Sequence, residues 1–127
     1  MTSTLQQLLY IVDDDEAVRD ALSLMGGMLG LEVLAYGSAE AFLDAYDPSR
    51  PGTLILDLQM PGMGGLALQR ELALRGLQIP VIIVTGLMDS WNVETAIAAG
   101  ARAVLRKPLD TDLLIGHIQR LIAQLNG

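Results

Sequence analysis

Four short apolar runs of this sequence each lead into residues that could do chemistry. The residues that follow or close these runs are an acidic triplet, Asp13 to Asp15, then Asp57, Thr85 and Lys107. Runs rich in Val, Ile and Leu, separated by helix-length segments, are typical of buried parallel strands. Since ligands gather beyond the carboxyl ends of such strands, these side chains are expected to converge. Acids, a hydroxyl and an ammonium together predict a site for a divalent metal ion and a phosphoryl group.

The carboxylates are the candidate metal ligands. Mg²⁺ prefers an octahedral set of oxygens drawn from carboxylates, carbonyls and water. Asp57 follows an apolar run and precedes a loop, Leu58 to Gly62, where a lone acid has no structural duty. We therefore expect Asp14, Asp57 and the backbone carbonyl of Gln59 to bind Mg²⁺ or Mn²⁺. For the acidic triplet taken alone, the alternative is a solvated loop that caps the next helix.

The candidate phosphoryl contacts are Thr85, Gly86 and Lys107. The hydroxyl of Thr85 could donate to a phosphoryl oxygen, and Gly86 would let the backbone approach a bound group closely. The Lys107 ammonium would act as a point charge for phosphate. Each residue alone has an ordinary alternative, as a strand threonine or a solvated surface lysine, and only their combination points to a site. The Lys107-Pro108 bond is also a candidate for a cis peptide.

Composition and charge narrow the class of protein. The 127 residues, 51% of them hydrophobic, fit a single domain over residues 1–127, with no second domain expected. The lack of cysteine excludes a disulfide or a thiolate site. A net charge of -7 argues against direct contact with nucleic acid or an anionic membrane, since both need a basic surface. Residues Met1 to Gln7 lack the features of a secretion signal, so a cytoplasmic domain is expected.

Hydrophobic periodicity and turn residues predict a βα unit repeated five times. Strands are predicted near 8–13, 31–35, 53–57, 80–85 and 102–106, and helices near 16–29, 38–46, 65–75, 91–99 and 110–125. Ser38 and Asp110 stand where helix N-caps are expected, and glycines 30, 76 and 100 stand where helices should stop. Strands and helices that alternate in this way predict an α/β fold with a parallel sheet.

Four motifs occur in order along the five βα units: Val12-Asp13-Asp14, Asp57 to Gly62, Val84-Thr85-Gly86 and Lys107-Pro108. With them, the chain resembles the receiver domain of bacterial two-component response regulators over essentially its whole length. The resemblance implies a flavodoxin-like, doubly wound (βα)5 parallel sheet with strand order 2-1-3-4-5. The Thr85-Gly86 pair and the loop after Asp57 look most like the subfamily whose receivers precede a helix-turn-helix DNA-binding domain.

The resemblance implies a signalling domain and not a conventional enzyme. Asp57 would take a phosphoryl group from the phosphohistidine of a sensor histidine kinase. Mg²⁺ would be held by the three ligands named above and by Asp13 through water. Thr85 and Lys107 would contact the phosphoryl oxygens. The domain would assist its own phosphotransfer and dephosphorylation, and would control transcription through a DNA-binding domain outside this chain.

Phosphorylation is expected to switch a surface that pairs two copies of the domain. The surface comprises Trp91 to Ala99, Arg102 to Arg106 and the apolar side of the last helix. Many members of the family carry an aromatic residue three positions before the lysine, where this chain has Val104, so ring rotation cannot report activation here. Trp91 is a candidate interface residue, with packing on the loop from 86 to 90 as the alternative.

Two other functions stay open from the residues alone. A small phosphatase of the haloacid-dehalogenase type also uses Asp, a hydroxyl, Lys and Mg²⁺ on a parallel sheet. That family places its nucleophile after the first strand as Asp-x-Asp-x-Thr, whereas the segment from Asp13 to Ala17 has no hydroxyl at its last position. The third interpretation is a scaffold that keeps the fold without phosphorylation, and the complete set of acids, Thr and Lys argues against it.

Overall fold

The computed structural model describes residues 7–50 and 52–126, without the side chains of residues 125 and 126. Nearly all of the segment Met1 to Gln7, where no secretion signal is predicted, lies outside the described residues. Among the helices of the described part, none is long and apolar enough to cross a membrane.

Five parallel strands form one sheet in the order β2-β1-β3-β4-β5, which confirms the predicted α/β architecture and strand order. The strands are β1 (Leu8–Val12), β2 (Glu32–Tyr36), β3 (Gly52–Leu56), β4 (Val81–Thr85) and β5 (Ala103–Arg106). The helices are α1 (Glu16–Met28), α2 (Ala39–Ala45), α3 (Gly65–Leu74), α4 (Ser90–Ala98) and α5 (Thr111–Asn126). Every predicted element is present, and no boundary is shifted by more than one residue.

The three central strands are buried on both faces, because helices cover both sides of the sheet. All residues of β1, β3 and β4 are buried. Alternate side chains of a strand point to opposite faces, so Tyr10 packs with Phe42 of α2 while the next residue, Ile11, packs with Ile118 of α5. The two cores hold the strand ends in a fixed position.

Two acids extend the central strands by one residue. Asp13 follows β1, and its N–H donates to the carbonyl oxygen of Tyr36 at 3.2 Å. Asp57 follows β3, and its N–H donates to the carbonyl oxygen of Val12 at 3.1 Å. The backbone of both acids is therefore held by a neighbouring strand, independently of the contacts that their side chains make.

The acids of the loop after β1 do not all have the same role. Asp15 is the N-cap of α1, and its carboxylate accepts the amide N–H of Ala17 at 2.9 Å. The capping interpretation is thus right for Asp15, the last member of the acidic triplet. The N-caps predicted at Ser38 and Asp110 also accept amide hydrogen bonds at the starts of α2 and α5. The predicted helix stops have positive φ at Gly30, Gly76 and Gly100.

Candidate functional site

Three carboxylates converge at the carboxyl end of the sheet. Oxygens of Asp13, Asp14 and Asp57 lie within 4.8 Å of one another. Asp13 and Asp57 are buried, at 2% and 5% exposure, whereas Asp14 is exposed. The result is a cluster of negative charge with two buried members and one member at the surface.

Lys107 places its ammonium against the two buried acids. Its Nζ donates to Asp13 Oδ2 at 2.8 Å and to Asp57 Oδ2 at 2.9 Å. The backbone of Lys107 is held too, because its N–H donates to the carbonyl oxygen of Thr85 at 3.0 Å. The Lys107-Pro108 peptide, a candidate for the cis form from the sequence, is cis.

The charge of this lysine is maintained by its surroundings. Burial of the ammonium, the largest single influence, lowers the pKa of Lys107, but the hydrogen bonds and negative charges of Asp13 and Asp57 together raise this pKa above its ordinary value. Lys107 therefore stays protonated and offsets part of the repulsion among the acids.

The loop after β3 fixes the second oxygen of Asp57. Asp57 Oδ1 accepts the amide N–H of Gln59 at 3.0 Å. Gly65, the first residue of α3, packs directly on this loop, and a Cβ there would lie 2.4 Å from the carbonyl oxygen of Asp57. A side chain at this position would displace the segment that carries both Asp57 and Gln59. The sequence analysis missed Gly65, although a Gly-Gly pair at the start of a predicted helix was an available signal.

Thr85 and Gly86 lie near Lys107 but do not line the acid cluster. Thr85 is fully buried at the end of β4, and its hydroxyl oxygen accepts the amide N–H of Leu87 at 3.2 Å. Gly86 is exposed, and a Cβ there would meet nothing within 4 Å. Packing within the protein therefore does not require glycine at this position. The roles of Thr85 and Gly86 as phosphoryl contacts stay predictions.

An open cleft of about 710 Å³ gives access to the acids. It is bounded by the loop after β1, the loop after β3 and the lysine. Its lining comprises Asp14, Asp15, Asp57, Gln59, Met60, Pro61 and Lys107. A small anionic phosphodonor or a side chain of a partner protein can therefore reach the Asp57 carboxylate, while Asp13 lies behind the lining.

A family model described as the response regulator receiver domain matches residues 9–119. The chain belongs to the response regulator receiver family. The match includes β1 from Leu9 onward, the other four strands and the first part of α5, so the acid cluster and the lysine lie inside it. The receiver assignment made from the sequence is thus confirmed, and a haloacid-dehalogenase-type phosphatase is not favoured.

Relatives of this receiver domain include longer regulatory proteins. Response regulator protein TmoT of Ectopseudomonas mendocina is 44% identical over 114 residues, which cover 90% of this chain and 52% of TmoT. Transcriptional regulatory protein FixJ of Azorhizobium caulinodans is 39% identical over 110 residues, covering 87% of this chain and 52% of FixJ. The chain therefore spans about half the length of these curated relatives.

Solved structures show the same fold. The crystal structure of FixJ-N superposes with a TM-score of 0.81 at 39% identity and covers 92% of this chain and 94% of FixJ-N. The response regulator StyR superposes with a TM-score of 0.85 at 34% identity, over 91% of this chain and 59% of StyR. Proteins can share a fold at much lower sequence identity than these two values.

The donor set of the receiver site fits a small hard cation. Carboxylate oxygens from three residues converge, and two of these carboxylates already share one cationic group, the ammonium of Lys107. Gln59 lines the same cleft as the exposed Asp14. Oxygen donors of this kind favour Mg²⁺ or Mn²⁺ over softer metals.

The predicted switch residues, Trp91 and Val104, belong to α4 and β5. Trp91 lies in the first turn of α4 and is 66% exposed. Val104 is half-buried in β5 and packs against the core shared by α2, α3 and α4. Their roles in switching or pairing stay predictions.

Proposed function

We propose that Asp57 of this receiver domain accepts a phosphoryl group from the phosphohistidine of a sensor histidine kinase. The setting of its carboxylate carries the proposal: Asp57 is 5% exposed, Lys107 Nζ lies 2.9 Å away, and two more carboxylates lie within 4.8 Å. Phosphoryl transfer asks a protein mainly for in-line positioning and for neutralisation of charge on the phosphoryl oxygens. A held carboxylate at the base of an open cleft meets the first demand, and Lys107 helps to meet the second.

The transfer exchanges one bond to phosphorus for another. A carboxylate oxygen of Asp57 attacks the phosphorus, and the phosphorus–nitrogen bond to the kinase histidine breaks. The electron pair of that bond stays on the imidazole nitrogen, and an acyl phosphate forms on Asp57. Lys107 then moves its ammonium from the carboxylate to a phosphoryl oxygen, while the Thr85 hydroxyl and the Gly86 amide contact the others.

Asp14, Asp57 and the Gln59 carbonyl would hold Mg²⁺ or Mn²⁺ in this site. When bound, the ion neutralises negative charge on the phosphoryl oxygens. Asp14 and Asp13 differ in exposure, and we assign them different roles for this reason. Asp14 is exposed and lines the cleft, which suits direct binding, whereas the buried Asp13 lies behind the cleft and acts through water.

Phosphorylation would act on the surface next to the site. An acyl phosphate carries a charge of about -1.5 to -2, where the free carboxylate of Asp57 carries a single negative charge. The Thr85 hydroxyl would leave the Leu87 amide and turn to the phosphoryl group, which shifts the loop 86–90 and the population of α4–β5 conformations. Two copies would then pair through this surface, where Trp91 and Ile97 are 66% and 54% exposed.

The output of the whole protein would be control of transcription. Two observations support this: a relative is named a transcriptional regulatory protein, and the chain covers only 52% of it. The net charge of -7 leaves this domain without a surface for DNA, so contact with DNA belongs to another domain. We place the reaction in the cytoplasm, where sensor kinases present their phosphohistidine.

The test is incubation with a small phosphodonor and Mg²⁺, followed by intact mass measurement. The wild-type domain should gain a single phosphoryl adduct, and Asp57→Asn should gain none. Asp20→Asn, at an exposed position of α1, is the matched control and should be phosphorylated like wild type. Continuous turnover of the donor with no adduct would indicate a phosphatase, and neither adduct nor turnover would indicate a scaffold.

A further inference from the structure

Arg19 of α1 contacts the backbone of the loop that carries the acids, and it is not among the residues that line the cleft. Its Nη1 donates to the backbone carbonyl oxygen of Asp13 at 2.8 Å, a short bond from a charged donor. The carbonyl belongs to the peptide that joins Asp13 to Asp14. Arg19 is therefore bonded to the backbone between the two acids, and not to either carboxylate.

This bond completes the restraint of Asp13. Its N–H donates to Tyr36, its Oδ1 accepts the Asp15 amide at 2.9 Å, and its Oδ2 accepts Lys107 Nζ at 2.8 Å. With the Arg19 bond, every polar group of Asp13 has a partner. Asp14 itself is exposed, so the direction of its side chain depends on how firmly the peptide before it is held.

The guanidinium of Arg19 also lies against a second loop. Gly37, in the loop between β2 and α2, is next to it. A Cβ on Gly37 would lie 3.2 Å from Arg19 Nη1 and 3.6 Å from its Cζ, and apart from the chain neighbours of Gly37 no other described residue comes closer than 4 Å. Gly37 does not have a positive φ, so the space for the guanidinium is the reason for glycine here.

We propose that Arg19 is a positioning residue for the metal site, which orients Asp14 by holding the Asp13-Asp14 peptide and which needs Gly37 to stay in place. The inference rests on the proposed function, because it concerns the same Mg²⁺ site. Partners that orient metal ligands without touching the metal typically contribute about 10–100-fold to its affinity. Arg19 acts one step further from the ion, so we expect roughly the lower end of that range.

The sign of the effect separates positioning from simple electrostatics. Removing a positive charge near a cation site should tighten Mg²⁺ binding if charge alone mattered. If Arg19 positions the loop, Arg19→Met should instead weaken Mg²⁺ binding by roughly tenfold. Arg19→Lys, which keeps a cationic donor, should bind Mg²⁺ more tightly than Arg19→Met, whereas charge alone predicts the reverse order.

Gly37→Ala disturbs the same contact without removing the arginine or its charge. The added methyl group must displace the guanidinium by a few tenths of an ångström, and a distorted hydrogen bond to Asp13 should weaken Mg²⁺ binding by roughly twofold. In the Arg19→Met background the Gly37→Ala substitution should have no effect, since its only neighbour is gone. Gly27→Ala is the matched control, because a Cβ there meets nothing within 4 Å.

The experiment is calorimetric titration of each variant with Mg²⁺, with the thermal midpoint in EDTA as a check of folding. A second readout is the rate of phosphorylation by a small phosphodonor against Mg²⁺ concentration. The half-saturating Mg²⁺ concentration should rise in Arg19→Met, and the rate at saturation should stay near wild type.

Three results would overturn the inference. They are tighter or unchanged Mg²⁺ binding in Arg19→Met, an effect of Gly37→Ala that persists without Arg19, and a fall in the saturated rate at unchanged half-saturation. A wild-type chain that binds no Mg²⁺ would overturn the proposed metal site itself, and the inference with it.

Discussion

Replacing Lys107 by methionine should strongly destabilise the domain when no metal is bound. The substitution removes the only lysine of the chain and leaves the buried Asp13 and Asp57 without the cationic partner that lies 2.8 and 2.9 Å away. Removing one partner of a buried ion pair costs about 3–5 kcal/mol. Because the Lys107 side chain is 25% exposed, we expect the lower end, about 3 kcal/mol.

This loss converts into a large shift of the thermal midpoint, Tm. For a domain of 127 residues, an unfolding entropy of about 2.1 cal/mol/K per residue predicts a fall of roughly 11 °C. Saturating Mg²⁺ should recover most of the fall, since the ion supplies the positive charge that the lysine no longer provides. Thermal unfolding followed by circular dichroism, in EDTA and in Mg²⁺, measures both quantities.

The matched control is Arg75→Met, which removes another cation from an ion pair of similar length. Arg75 and Glu71 are 2.8 Å apart but exposed, so the cost should be no more than about 1 kcal/mol and should not depend on Mg²⁺. The reasoning is refuted if Lys107→Met is as stable as wild type in EDTA, or if its deficit is the same in EDTA and in Mg²⁺.

Three further predictions concern the cluster, the switch and the alkaline limit. Asp14→Asn should raise the Tm in EDTA, because it removes one charge from the cluster, and it should abolish the rise in Tm caused by Mg²⁺. Glu16→Gln, the control, should change neither the Tm in EDTA nor the effect of Mg²⁺. A lower Tm for Asp14→Asn in EDTA would contradict the account. Thr85→Ala should accept phosphate but dimerise poorly in sedimentation velocity, and dimerisation equal to wild type would remove Thr85 from the switch. Burial raises the pKa of Tyr10 from 10.0 to about 12, so its contribution to stability is complete below pH 10 and is lost as the pH rises to about 12. Tyr10→Phe should therefore lose less unfolding free energy than wild type over that interval in urea titrations, and equal losses would show that Tyr10 is not responsible.

The sequence predicted the fold well because each strand signal is unambiguous. Runs such as Val81-Ile82-Ile83-Val84 are apolar throughout, as strands buried on both faces must be, and glycines mark where helices end. The meeting of Asp13, Asp14 and Asp57 also followed from the sequence, since parallel strands bring their carboxyl ends to one edge of the sheet.

Contacts that depend on the direction of a side chain were harder to predict from the sequence. Nothing in the spacing of Arg19 and Gly37 indicates that one lies against the other, because they belong to a helix and a loop that meet only in the folded chain. The acids at 13–15 look alike in sequence, yet one is buried, one is exposed and one caps a helix. Their different roles are set by the strand end and the helix start, which only the structure fixes to a single residue.

The central claim is that the phosphoryl group resides on Asp57, and the most direct measurement is to locate it. Borohydride reduces an aspartyl phosphate to homoserine, so the phosphorylated domain can be reduced, digested and sequenced by mass spectrometry. The account predicts homoserine at position 57, dependent on both phosphodonor and Mg²⁺ and absent from every other aspartate. Homoserine at another aspartate, or a phosphorylated protein that yields none, would contradict it.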